Sequence, residues 1–139
     1  MRIMGLDFGD KRIGVALSDP MGLTAQGLEV LERRKTLEAD VRRIGELVQQ
    51  YGVDTIVIGL PKNMDGSLGP QAGKVKEFAE KLAFLPDVQV RLWDERLTTT
   101  AAEKLLIEAD VRRARRRKVI DKLAASLILQ GYLDFRSRT

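Results

Sequence analysis

The hydrophobic pattern of this chain changes period several times, and each change marks an element. Residues 2–8 open on Arg2 and continue as an apolar run interrupted by Asp7, the length of a buried strand. Gly9, Asp10 and Lys11 supply turn chemistry, and Ile13–Leu17 reads as a second strand, so the pair predicts a hairpin. After Asp19-Pro20-Met21-Gly22, residues 25–32 alternate through Leu28, Val30 and Glu32 as a third, weaker strand. From Thr36 the period becomes helical, with Leu37, Val41, Ile44, Val48 and Tyr51 on one stripe. Thr36 is placed to cap this helix and Gly52 to close it. Val53–Ile58 is a fourth strand, and residues 61–70 are loop-like. A helix follows from Pro70 to about Phe84, carrying Val75, Phe78, Ala79 and Leu82. Val88, Val90 and Leu92 then mark a fifth strand that stops at Asp94-Glu95. Thr100 and Glu103 have capping-box spacing and open a third helix near Thr99. A fourth, with Ile120, Leu123, Ala124, Leu127 and Ile128, is expected after residue 118.

Three hairpin-connected strands and two strand–helix crossovers predict an α/β domain over residues 1–139. Its core is one mixed five-stranded sheet with helices on both faces. There is no linker, repeat or low-complexity boundary. No apolar run approaches the roughly 18 residues that cross a membrane, so no membrane partner is expected. Nothing near Met1 resembles a signal peptide, and a cytoplasmic location is expected.

Composition narrows the chemistry. The 139 residues include no cysteine and no histidine, which removes thiolate and imidazole ligands and a histidine base. Hydrolysis would run on carboxylates, lysine, hydroxyls or an oxygen-bound hard cation such as Mg²⁺ or Mn²⁺. With 24 Lys and Arg against 20 Asp and Glu, the net charge is +4, and the excess is uneven. Residues 112–118 place six cations in seven positions: Arg112, Arg113, Arg115, Arg116, Arg117 and Lys118. Such a block marks a mobile or anion-binding segment and favours a nucleic-acid partner.

Three acids stand out by their setting. Asp7 interrupts an apolar strand, where a lone carboxylate is costly unless paired or metal-bound. Glu95, with Asp94 beside it, ends the last strand, and Asp121 is expected in the first turn of the last helix. Each has a structural alternative: Asp7 bonded to the glycine-rich turn, Asp94 or Glu95 paired with Arg96, and Asp121 held by the helix dipole. Gly5 and Gly9 fit either a tight turn or a phosphate contact. Loop 61–70 offers Lys62, Asn63 and Ser67 before a helix, where a phosphate could sit.

Taken together, Gly5-Leu-Asp-Phe-Gly-Asp-Lys-Arg-Ile-Gly-Val-Ala16, Gly59-Leu-Pro-Lys-Asn-Met-Asp-Gly66, Asp94-Glu-Arg-Leu-Thr-Thr99 and Asp121-Lys-Leu-Ala-Ala125 resemble the YqgF (RuvX-like) family. Its members are ribonuclease-H-like bacterial nucleases, described as Holliday junction resolvases and as processors of the 5′ end of precursor small-subunit ribosomal RNA. The resemblance runs in order over nearly the whole chain. It implies an acidic site of Asp7, Glu95 and Asp121 holding Mg²⁺ or Mn²⁺, with Asp94 a further candidate ligand. Asp10 stands where the family pattern often has threonine and is not expected to be catalytic. Lys11, Arg12, Lys62, Asn63 and the 112–118 block would hold nucleic acid. The expected activity is phosphodiester hydrolysis, on precursor 16S ribosomal RNA or on branched DNA, the latter by a symmetric homodimer. The rivals are a non-catalytic nucleic-acid-binding module and an actin-like phosphotransferase. The second needs two such domains where this chain offers one.

Overall fold

A computed structural model describes the backbone of residues 2–62, 65–94 and 113–137, and the side chains of these except 113–121. Five strands, β1 (Arg2–Phe8), β2 (Arg12–Ser18), β3 (Ala25–Glu32), β4 (Val53–Leu60) and β5 (Gln89–Asp94), form one sheet in the order β3-β2-β1-β4-β5. The first three pair antiparallel, and β1–β4 and β4–β5 pair parallel, as the order of elements predicted. The ladder shifts register at Arg2/Ile3, and there the Ile3 amide donates to the buried Ser18 hydroxyl at 2.9 Å.

Helices α1 (Leu37–Tyr51) and α2 (Pro70–Leu82) cover one face of the sheet. Thr36 accepts a hydrogen bond from the Ala39 amide, and Gly52 closes α1 with φ of 66°, a left-handed conformation suited to glycine. Lys81 of α2 reaches Glu38 of α1 at 3.0 Å, and this contact lowers the Glu38 pKa and raises that of Lys81. The core on this side includes Met4, Leu6, Phe8, Ile13, Val15, Ile56, Ile58 and Phe78. Phe8 stacks on Phe78 with ring centroids 4.2 Å apart.

Helix α3 (Arg113–Ser137) covers the other face, where Ala125, Ile128, Leu129 and Leu133 meet Ile3, Ala16 and Val57. Trp93 packs edge-on to Tyr132 and against Phe135. Both faces of the sheet are therefore covered, as expected. Among the described residues no helix is long and apolar enough to cross a membrane.

Two details of α3 differ from the sequence reading. The helix begins inside the basic block at Arg113, not after it, because arginine, alanine and lysine are good helix formers. Asp121 therefore lies in the third turn rather than the first, about 12 Å of helical rise from the start. A dipole effect confined to the terminal turn does not reach it. The helix expected near Thr99 lies outside the described residues.

Helix α3 approaches the sheet closely at Gly5. A methyl group there would lie 2.7 Å from the Leu129 Cβ and 2.9 Å from the Ala125 carbonyl oxygen. Gly5→Ala should therefore destabilise the protein by about 1–3 kcal/mol, the cost of overpacking. That exceeds the roughly 0.4–1 kcal/mol that the lost chain entropy of glycine would return. Urea unfolding checks this, and an unchanged midpoint would show that α3 shifts freely on the sheet.

Candidate active-site edge

Because β1, β4 and β5 are parallel, their carboxyl ends meet at one edge of the sheet. Asp7 is the penultimate residue of central strand β1 and is half-buried. Side chains alternate across a strand, so Asp7 shares the α3 face with Ile3 and Gly5. It stands opposite Gly14 of β2. On the other side the ladder pairs Leu6 with Ile58, so the next position of β4 beside Asp7 is Gly59. The strand positions that flank Asp7 are thus both glycine.

Asp94, the last residue of β5, pairs with Leu60 in the ladder, one level above Asp7. The Lys62 amine lies 3.9 Å from the Asp94 carboxylate, so these two expected site residues are brought together. Ser67, a candidate phosphate contact, is engaged locally instead, with its hydroxyl 2.6 Å from the Asp65 carboxylate.

The direction of α3 brings Asp121 towards this edge. Arg136 donates to the Gly22 carbonyl, Gln130 accepts from the Ala25 amide, and Lys122 packs over Gly27. The helix thus runs antiparallel to β3, with its first turns directed to the carboxyl edge. Asp121 lies one turn before Ala125, whose carbonyl faces Gly5, and Asp7 lies two residues beyond Gly5 along β1. The side chains of Asp121, Arg113, Arg115, Arg116, Arg117 and Lys118, and the whole of Glu95, Asn63 and Arg112, lie outside the described set. Among the described residues no three acids gather to hold a metal.

The glycines of the first motif have structural reasons. Gly5 admits α3. Gly9 donates to the Arg12 carbonyl at 2.9 Å, and a Cβ at Gly9 would lie 2.9 Å from that same oxygen. This is the tight-turn reading of Gly9 rather than the phosphate one.

Arg33 was not singled out in the sequence, yet it holds this turn. Its Nε lies 2.7 Å from Asp40 Oδ2, and Asp40 is 2% exposed. Its Nη1 donates to the Gly9 carbonyl at 2.9 Å, and its guanidinium sits 4.3 Å from the Phe8 ring centroid. The second Asp40 oxygen accepts from the Arg34 amide at 2.8 Å. From α2, Gln71 donates to the Phe8 carbonyl at 3.3 Å and Lys74 pairs with Asp10 at 3.1 Å. That pair accounts for Asp10 without a catalytic role. Arg33 escaped notice because nothing local distinguishes it from Arg34; only the packing of α1 buries its partner.

Comparison with known proteins identifies the family. The family model described as RuvX: Holliday junction resolvase matches residues 1–135. The chain belongs to the RuvX family. RuvX relatives include a protein of Pelotomaculum thermopropionicum, 64% identical over 138 residues that cover 99% of this chain and 90% of the relative. Another, from Desulforamulus reducens, is 60% identical over 96% of this chain and 97% of the relative. Both are provisionally named pre-16S rRNA nuclease. Among solved structures, T. thermophilus RuvC in complex with a Holliday junction substrate superposes with a TM-score of 0.64 at 17% identity. The match covers 100% of this chain and 97% of that one. At that identity the likeness shows the fold, which is the ribonuclease-H-like fold that the resemblance implied.

The buried Arg33–Asp40 pair and the exposed Arg12–Glu32 pair, 3.4 Å apart with the Glu32 side chain 69% exposed, should differ in weight. Asp40→Ala leaves a mostly buried guanidinium uncompensated and should cost about 3 kcal/mol, the lower end for breaking a buried pair. Glu32→Ala should cost less than about 1 kcal/mol. Denaturant titration of the two variants measures the contrast, and equal losses would remove the special status of Arg33.

Proposed function

We propose that this chain is a metal-dependent nuclease that hydrolyses phosphodiester bonds, processing the 5′ end of precursor 16S ribosomal RNA in the cytoplasm. The observation that carries the reading is Asp7, a half-buried carboxylate at the carboxyl end of the central strand, flanked by Gly14 and by the position of Gly59. The names of the relatives supply the substrate.

The donor chemistry fits a hard cation, since the chain has neither histidine nor cysteine and Asp7 offers a carboxylate oxygen between two glycine positions. Asp7, Glu95 and Asp121 would hold Mg²⁺ or Mn²⁺, which when bound supplies an acidified water and neutralises charge on the departing oxygen. Asp94, beside Lys62, serves better as a partner that orients this lysine towards phosphate than as a ligand. Lys11, Arg12, Lys62, Asn63 and the cations of 112–118 would contact the nucleic acid, with Arg113, Arg115, Arg116, Arg117 and Lys118 carried on α3.

A second reading, resolution of branched DNA by a homodimer, is favoured by the family description and by the fold shared with RuvC. The protein assayed with Mg²⁺ on a precursor 16S transcript and on a four-way DNA junction separates the two. Cleavage of the transcript alone supports the first reading, and cleavage of the junction alone the second. Asp7→Asn should abolish cleavage while nucleic-acid binding and the folded circular dichroism spectrum persist. Full activity of this variant would overturn the proposed acidic site.

A further inference from the structure

We propose that Lys11, Arg34 and Lys35 form a phosphate-binding strip on the β3 side of the site edge, distinct from the basic first turns of α3. The inference rests on the nucleic-acid reading above and adds to Lys11 two residues that lie outside the motifs, Arg34 and Lys35. Arg34 and Lys35 follow β3, and Lys11 precedes β2. The Arg33 amide donates to the Lys11 carbonyl at 2.8 Å, extending the β2–β3 ladder past Arg12 and Glu32. The Arg33 side chain then ties the same turn to Gly9, and Asp40 holds the Arg34 amide. Three exposed cations therefore stand on backbone that is hydrogen-bonded to the turn immediately after Asp7 and Phe8.

Among the described residues, Lys11, Arg34 and Lys35 have no carboxylate partner. The nearby acids are engaged elsewhere: Asp10 with Lys74, Glu32 with Arg12, Glu38 with Lys81 and Asp40 with Arg33. The positive charge at this corner is thus left for an external anion. Three cations grouped at one corner of the sheet fit a polyanion such as the sugar–phosphate backbone better than a single small anion. Backbone anchoring fixes where the strip sits, while the lysine and arginine stems remain long enough to follow the strand.

The test compares the full-length protein with the double variant Arg34→Gln, Lys35→Gln. A control carries the same change of charge away from this edge: Arg42→Gln, beside Leu85 and Pro86, with Arg91→Gln on β5. Binding of a single-stranded RNA oligonucleotide is measured without divalent ions over a range of salt. The strip variant should lower the slope of log K against log salt by about 1.4, at roughly 0.7 per lost phosphate contact. The control should leave the slope unchanged. An unaltered slope, or equal losses in strip and control variants, would overturn the proposal. Melting curves for each variant show that the folded protein is being compared. If wild-type protein binds RNA through the strip but never cleaves it, the strip stands and the nuclease reading fails.

Discussion

Everything at the candidate site depends on a central strand that is buried on both faces. β1 lies third of five strands, with α1 and α2 packed on one side and α3 on the other. A charge in the middle of such a strand would be desolvated with no compensation. At position 7 the strand is about to leave the sheet, and the carboxylate stays half in contact with solvent. The same strand gives up a side chain at Gly5 so that α3 sits directly on it. Helix and carboxylate are thereby set side by side on one face, two residues apart along β1.

The opposite face stiffens the end of that strand. Phe8 stacks on Phe78, Arg33 lies over the Phe8 ring, and Arg33 also bonds the Gly9 carbonyl and buried Asp40. One guanidinium thus joins the turn after β1, the start of α1 and the core. Arginine suits this place because its planar group can donate in two directions and stack at once. Lysine would supply the charge without the bridge. The exposed ion pairs Lys81–Glu38 and Lys74–Asp10 add registry between elements but little free energy.

The division between faces also separates tasks. α1 and α2 stabilise β1 and shape the turn that follows it. α3 carries Asp121 and the basic turns towards the carboxyl edge of the sheet. Arg113 and Asp121 lie on that one helix, which approaches β1 closely at Gly5.

The sheet was legible in the sequence because alternation, helical stripes and caps are local properties. The boundaries of β1 and β3 and the caps Thr36 and Gly52 came out as read. Asp7 was legible for a related reason: a carboxylate in an apolar run is conspicuous without any knowledge of contacts. Tertiary structure alone decided what depends on distant chain segments. It separated Arg33, buried against Asp40, from Arg34, which is otherwise the same residue in the same local pattern. It also gave Gly5 and Gly9 different duties, one under a helix and one in a turn. The start of α3 was misplaced because like charges argue against order locally, whereas helix propensity and a long apolar face packed on the sheet favour it. Local patterning specifies elements, but burial and pairing are properties of the assembled molecule, and they set which charges are spent on the fold and which remain for a ligand.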